Sequence, residues 1–382
     1  MSDLSQRLQA IDALRGLVIL IMMVDHVRET FYLHHQVPDP MEISETEGSL
    51  FFSRVLAHLC APVFVVLTGL SAYLYQAKNN SIAMTREFLL KRGLFLIGLE
   101  LLIVNFAWTG KFPPDVIYLQ VIWAIGFSMI ALALLIGLPQ KLLWGISLLI
   151  IFGHNLMDHI SFAQGSVMNA IWLVLHERGW INFGEVLRVR TSYPVLPWIG
   201  VITLGYGLGH VVFGKPKTTQ QKNRMLFTFG LMGIALFFVL RGLNIYGDQA
   251  WEMMPTWSET LMSFLNLTKY PPSLFFILWN VGIGLIILVL LQKIETKNWV
   301  KPLIIFGSVP MFFYIVHLFV LKALYVIAVS IWGHNYGDYY GVDHMATVWG
   351  IAVILSIVLY PAMLKFSFFK HRNKHIPLLK YF

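Results

Sequence analysis

The run Ile11-Asp12-Ala13-Leu14-Arg15-Gly16-Leu17-Val18-Ile19-Leu20-Ile21-Met22-Met23-Val24-Asp25-His26-Val27-Arg28 decides the class of fold. Its centre is unbroken apolar sequence, and charged residues stand at each end. The apolar part would suit a signal peptide. However, no small-residue cleavage site follows it, and Asp25-His26-Val27-Arg28 carries charges that such a peptide lacks. The run therefore reads as a membrane helix. Roughly 20 apolar residues cross the hydrocarbon layer. Comparable stretches occupy 12–33, 50–76, 88–108, 116–137, 141–157, 194–213, 225–244, 272–292, 302–329 and 345–368. The expected fold is all-α: a polytopic integral membrane bundle of about ten transmembrane helices.

Composition agrees. Of 382 residues, 57% are hydrophobic and 13% charged, against about 25% charged in soluble domains. A soluble chain of this length cannot bury that much apolar surface. An ordinary soluble enzyme, a disordered chain and a fibrous one are excluded. The net charge of +8 is unevenly placed. With the N-terminus in the cytoplasm, alternating helices put Arg7, Arg15, Lys78, Arg86, Lys91, Arg92, Lys141, Lys215, Lys217, Lys222, Arg224, Lys293, Lys297 and Lys301 on the inner side. Lys365, Lys370, Arg372, Lys374 and Lys380 join them, while most acidic residues fall outside. This is the positive-inside pattern. It places both termini in the cytoplasm and makes a nucleic-acid partner unnecessary. Residues 1–382 are expected to form a single membrane-embedded domain, with the basic tail 370–382 along the inner surface of the bilayer.

Chemical motifs with metal or nucleotide signatures are missing. One cysteine, Cys60, excludes a disulfide framework and a Cys-based zinc site. There is no helical His-Glu zinc motif, Walker loop or nucleophile elbow, so no metal is expected. Thr68-Gly69-Leu70-Ser71-Ala72 and Gly205-Tyr206-Gly207-Leu208-Gly209 lie inside membrane helices and read as close-packing surfaces. The segment 158–193 is the longest outside the membrane, and within it Val167–Glu177 has the spacing of a short interfacial helix.

Ionisable residues at membrane level are costly and mark function. Arg15 and His26 are eleven residues apart, almost three whole turns, so both lie on one face roughly 16 Å apart. Asp12 can pair with Arg15, Asp25 with Arg28, and Glu29 with the His26 ring. In the second stretch, Pro62 removes a backbone donor and frees the His58 carbonyl, making a polar notch. His26, His58, Glu100, Asn105 and His317 fall at or above the bilayer midplane by residue count, with Arg54 near them. A shared level suggests one polar cavity open to the outside. Arg15 and Arg92 stand at the inner end, suited to phosphates arriving from the cytoplasm. Lys91 stands there too, and membrane-surface anchoring is an equal alternative for Lys91 and Arg92.

The opening Ile11-Asp12-Ala13-Leu14-Arg15-Gly16 with Asp25-His26 resembles the transmembrane acyltransferase superfamily. His58-Leu59-Cys60-Ala61-Pro62-Val63-Phe64, Tyr193-Pro194-Val195-Leu196-Pro197-Trp198 and Val309-Pro310-Met311-Phe312-Phe313-Tyr314 resemble bacterial members of its heparan-alpha-glucosaminide N-acetyltransferase-like family. The resemblance implies transfer of an acyl group, acetyl above all, from cytoplasmic acetyl-CoA or another acyl-CoA to a sugar or glycan acceptor at the far face. It also implies the bacterial cytoplasmic (inner) membrane. In the lysosomal branch the catalytic histidine lies in the first outer loop. His34 and His35 lie there, but not at that branch's spacing. The O-acyltransferase branch uses a histidine eleven residues after its motif arginine, and His26 matches it. The acceptor atom, nitrogen or oxygen, stays open.

The expected catalytic group is therefore His26 first and His58 second, with Asp25 or Glu29 to orient or tune them. Arg15 and Arg92 would hold the acyl-CoA, and Glu100, Asn105, His317 and Arg54 would line the acceptor cavity. A proton-coupled small-molecule transporter is the rival reading of the same polar level. Nothing in the sequence opposes an oligomer. The topology has a direct check. A cysteine introduced in the 215–224 loop should stay unlabelled by an impermeant thiol reagent in intact cells and react after lysis; labelling of intact cells refutes the helix count.

Overall fold

In the computed structural model the backbone is described for residues 2–184 and 186–382, and side chains for the same residues except 2–8. Arg7, counted above toward the inner side, is outside the described side chains. The chain is nearly all-α. In order it forms α1 (Ser2–Phe31), α2 (Gly48–Ala57), α3 (Cys60–Asn79), α4 (Ile82–Leu99), α5 (Asn105–Thr109), α6 (Val121–Leu135), α7 (Gln140–Gly153) and α8 (Val167–Leu175). These are followed by α9 (Leu196–Phe213), α10 (Thr219–Leu243), α11 (Trp257–Leu265), α12 (Leu274–Ile294), α13 (Lys301–Ser308), α14 (Pro310–Trp332) and α15 (Met345–Arg372).

Among the described residues, six helical spans are long and apolar enough to cross a membrane: Gly48–Asn79, Leu196–Phe213, Thr219–Leu243, Leu274–Ile294, Pro310–Trp332 and Met345–Arg372. Several of the ten expected spans differ in detail. The stretch 116–137 opens as a strand, leaving α6 with 15 residues, about 22 Å at 1.5 Å per residue. The stretch 141–157 closes in a 3-10 turn over His154–Met157. The stretch 88–108 is interrupted by a π-helical segment, Glu100–Val104, between α4 and α5. The stretch 50–76 breaks at His58 and Leu59, so Pro62 stands in the first turn of α3. There its missing N–H costs little. The expected notch is a helix-to-helix turn and not a kink.

Two compact units divide the chain expected to form one domain. The first comprises Met1–Cys60, Trp251–Asn266 and Ile287–Phe382; the second comprises Ala61–Ala250 and Leu267–Ile286.

The first unit is built on α1, which packs against α13, α14, α15 and α2. The α1–α13 contact is backbone on backbone. A Cβ at Gly16 would lie 1.9 Å from the Leu303 carbonyl oxygen, and one at Gly307 would lie 1.7 Å from that of Asp12. No side chain fits at either position. Lys370 of α15 ties α13 to the end of the chain, its Nζ donating to the Ser308 carbonyl at 2.9 Å and to the Phe382 carbonyl oxygen at 2.8 Å.

The second unit pairs α4 with α6 and α7 with α9. The small-residue surfaces act as expected: Gly69 lies against the Ile202 carbonyl and Gly205 against that of Val66. The stretch expected as a short interfacial helix is helical as α8, capped by Ser166, whose side chain accepts from the Asn169 N–H. The all-α expectation needs one correction. Strands β1 (Val116–Leu119), β2 (Gly179–Phe183) and β3 (Leu187–Thr191) form a small sheet in the order β1-β3-β2. β3 runs parallel to β1 and antiparallel to β2, with Tyr118 and Trp180 both in register with Arg190. The guanidinium carbons of Arg188 and Arg190 lie 5.2 and 5.0 Å from the Trp180 ring centroid.

The glycine contact in the first unit makes a sharp prediction. Gly307→Ala should destabilise the protein by about 1–3 kcal/mol, the usual cost of overpacking. Gly350→Ala, in α15 with nothing within 4 Å of a new Cβ, should be neutral or stabilising by up to about 1 kcal/mol, because alanine is the better helix former. Thermal unfolding in detergent compares the two; equal melting temperatures would contradict the packing argument.

Candidate active site

The first unit brings together two residues 291 positions apart. His26, near the end of α1, places Nδ1 2.7 Å from Nε2 of His317 in α14. Nδ1 of His317 lies 2.7 Å from the carbonyl oxygen of Phe313, one turn earlier. A carbonyl oxygen only accepts, so Nδ1 of His317 carries a proton. In the neutral ring Nε2 then carries the lone pair. It accepts from Nδ1–H of His26, so Nε2 of neutral His26 is its basic nitrogen. The backbone of α14 thereby sets the tautomer of both imidazoles.

Aromatic packing holds the pair. The His26 and His317 rings lie 5.0 Å apart at 10°, and the Phe313 ring stacks on His317 at 4.9 Å and 13°. Tyr314 meets both imidazoles edge-on, at 5.8 Å from His26 and 5.5 Å from His317. His317 is fully buried, whereas His26 is 9% exposed, so the outer member of the pair is the one with residual access. Tyr314 was quoted in a motif above without a role. Its position three residues before His317 on a helix was the available signal.

Other expected residues fall into three groups. Asp25 does serve Arg28, with Oδ1 accepting from Nε at 2.9 Å. Glu29 does not orient His26: its carboxylate accepts from Nη2 of the same Arg28 at 3.1 Å. Two adjacent carboxylates compete for one guanidinium, and a buried imidazole from α14 takes the place expected for Glu29. His58 is buried at the end of α2, its N–H bonded to the Arg54 carbonyl at 2.9 Å, and Arg54 is half-buried. Arg15 pairs with Asp12 at 3.1 Å, the two side chains being 22% and 26% exposed. The pair is thus partly exposed.

Glu100 and Asn105 belong to the second unit and are turned toward its own backbone. Glu100 Oε2 accepts from the Trp123 N–H at 3.0 Å, capping the start of α6. Asn105 uses both halves of its amide on β1: Nδ2 donates to the Val116 carbonyl at 3.0 Å, and Oδ1 accepts from the Tyr118 N–H at 3.1 Å. Both are fasteners. Arg92 is in this unit too, its guanidinium 5.9 Å from the Phe88 ring.

The loop histidines are not loosely held. His34 stacks on Tyr336 at 3.7 Å and 3°, and Gly341 closes over it. Burial, and then the neighbouring His35, push the His34 ring below its ordinary pKa. His34 is therefore neutral at pH 7. Because protonation opposes this arrangement, stability from it is present above pH 6.5 and declines on acidification.

Residues 7–248 match the family model for the catalytic domain of heparan-alpha-glucosaminide N-acetyltransferase. The chain belongs to that family. No curated protein matches it. The heparan-alpha-glucosaminide N-acetyltransferase match includes Arg15, His26 and His58 but ends before α14, so His317 lies outside the matched residues. Together with the six apolar spans, the family makes this an integral membrane protein with an acetyltransferase-like function.

A test separates fasteners from chemistry. Asn105→Ala should leave the Val116 and Tyr118 backbone groups unsatisfied and cost about 1–3 kcal/mol each. The melting temperature should fall while the KM for acyl donor stays unchanged. A raised KM without a loss of stability would return Asn105 to the substrate cavity.

Proposed function

We propose that this protein transfers an acetyl group from cytoplasmic acetyl-CoA to a sugar or glycan acceptor at the outer face of a bacterial inner membrane, with His26 as general base. The observation that carries the reading is the His26–His317 pair inside a chain of the acetyltransferase family.

Each step follows from the tautomers. The acceptor, a hydroxyl or an amine, approaches Nε2 of His26 and gives up its proton as its heteroatom attacks the thioester carbonyl. His26 becomes an imidazolium, and its Nδ1–H bond to His317 Nε2 becomes charge-assisted and stronger. His317 thus stabilises the charged form without taking the proton, in the way an orienting carboxylate serves the histidine of a Ser-His-Asp triad. Collapse of the tetrahedral intermediate breaks the carbon–sulfur bond, and the Nε2 proton of His26 passes to the leaving thiolate. The ring returns to its starting state.

The remaining residues fit around this. Arg15, on the His26 face of α1, supplies a planar guanidinium for the donor's phosphates. Asp25 holds Arg28 in α1. Arg92 offers the second unit's own basic group at the start of the third apolar stretch. His58 stands second to His26, because the structure ties the His26 tautomer to a defined partner.

Purified protein in detergent with labelled acetyl-CoA and amino-sugar or glycan acceptors gives the test. His26→Ala should lose about 10²–10⁴-fold in kcat, the usual contribution of a general base, while staying monodisperse. His317→Leu should lower kcat with the KM for acetyl-CoA unchanged. His317→Gln keeps an acceptor oxygen for Nδ1–H and should recover part of the rate. His34→Ala should retain most activity. Near-normal turnover by His26→Ala beside a dead His34→Ala would move the base to the first outer loop. Solute uptake into vesicles without acyl-CoA would favour the transporter instead.

A further inference from the structure

A second cluster of titratable groups lies in the other unit and has no part in the reaction above. Helix α7 ends in the 3-10 turn His154–Met157. His154 is fully buried, and both of its ring nitrogens are enclosed with no hydrogen-bond partner. Buried polar atoms are nearly always satisfied, so an enclosed ring with two idle nitrogens needs a reason. Asp158 follows four residues later, and its Oδ2 is fixed by Nδ2 of Asn155 at 2.9 Å. His176 stands at the end of α8 under the indole of Trp172, ring centroids 5.0 Å apart. Its Nε2 lies 2.9 Å from the His154 carbonyl oxygen and 3.5 Å from Asp158 Oδ1. One ligating atom from each of the three side chains lies within 4.8 Å of the others.

Hydrogen bonding accounts for His176 and Asp158 but leaves the His154 ring unexplained. The sequence excludes cysteine-based and helical His-Glu zinc sites, and the polar run His154-Asn155-Leu156-Met157-Asp158-His159 offers only two of the three residues. The third member lies beyond an intervening helix, which hid the set.

We propose that His154, Asp158 and His176 form a binding site for a divalent transition-metal ion of the zinc type. Two imidazoles and one carboxylate are a nitrogen and oxygen donor set that zinc takes, with a fourth position left for water. Magnesium and calcium prefer oxygen donors throughout. The His176 ring would bind the ion in its neutral form, as a ligand must. A cation taken up at Nε2 binds the other neutral tautomer: the proton that Nε2 now gives to the His154 carbonyl moves to Nδ1, and the ring keeps one proton throughout. Asp158, whose side chain is 42% exposed, is the entry side. Trp172 and Asn155 then act as the supports that fix ring and carboxylate orientation. The ion would staple the end of α7 to the end of α8.

The test uses the full-length protein without a histidine tag, stripped with chelator in detergent. Zinc or cobalt is added, excess is removed by gel filtration, and metal content and melting temperature are measured. The site predicts about one zinc retained per chain, a raised melting temperature, a visible cobalt absorption band, and no response to magnesium. Asp158→Asn, at the exposed member, and His176→Gln should each cut retention at least tenfold and remove the thermal shift, while the variant proteins stay monodisperse. His154→Ala should behave alike if it folds; the Asp158 variant decides the matter if it does not. Retention unchanged in Asp158→Asn and His176→Gln, or no metal retained by the wild type, overturns the proposal. Acetyl transfer is read separately, so failure of the metal site leaves the His26 reading standing.

Discussion

The first unit depends on two helices approaching until backbone touches backbone. Gly16 and Gly307 sit opposite one another's neighbours, and each leaves room only for a carbonyl oxygen where any other residue would place a Cβ. In a membrane there is little hydrophobic drive to bring helices together, since lipid is as apolar as leucine. Close contact through small residues supplies the van der Waals attraction instead. This contact fixes the distance of α13 from α1. Because α14 begins two residues after α13 ends, it also constrains where α14 can run. His317, seven residues into α14, can then reach His26 across the same interface. Gly16 precedes His26 on α1 by ten residues, about 15 Å along the axis, so the packing sets the polar contact from a distance.

The imidazole pair is itself economical. A single histidine buried at membrane level would leave a ring nitrogen without a partner, which is costly in a low dielectric. Two histidines in series share the demand. The Phe313 carbonyl, already in a helix, accepts a second bond, and the order of protons follows from its inability to donate. One basic nitrogen results, on the ring with residual exposure. A carboxylate in place of His317 would hold the same tautomer, but it would bring a full charge into the bundle. A neutral acceptor avoids that desolvation cost and still strengthens when His26 becomes charged.

Much of this was legible in sequence, for identifiable reasons. The membrane class followed from composition. The Arg15 and His26 face followed from helical period, and the Asp25–Arg28 pair from spacing of three. The small-residue surfaces at Gly69 and Gly205 followed from the size of their side chains. Counting residues put His317 at the same level as His26, and the two rings do meet, yet nothing local could say that they were partners. Glu29 was misassigned because spacing on one helix cannot see a competing ring from another. The sheet was hidden because its strands are four or five residues long, and β1 and β3 pair across some seventy residues of chain. Glu100 and Asn105 looked like cavity residues because sequence shows a polar group at depth without showing what backbone lies beside it. The π-helical segment and β1 supply that backbone only after folding.

That last pair points to a distinction that polar residues in a membrane protein invite. Depth alone marks expense, and expense can be met in two ways. Glu100 and Asn105 meet it by satisfying N–H and C=O groups at the joints where helices start or strands attach, and their bonds close on the protein itself. Asn105 has nothing left over for a substrate, while Glu100 keeps one enclosed oxygen, Oε1, without a hydrogen-bond partner. His26 differs in kind. Its known bond goes to another side chain whose own proton is placed by the backbone, and this arrangement assigns the lone pair to one particular atom. Function follows from that asymmetry. A fastening residue uses donors and acceptors symmetrically, as Asn105 does, whereas His26 bonds through Nδ1 to a ring whose tautomer is fixed, which gives its Nε2 a defined chemical state. By the same measure His154 stands apart from both groups: it is buried like a fastener but fastens nothing with its ring. A residue that bears the cost of burial without either return is the place where a missing ligand should be sought.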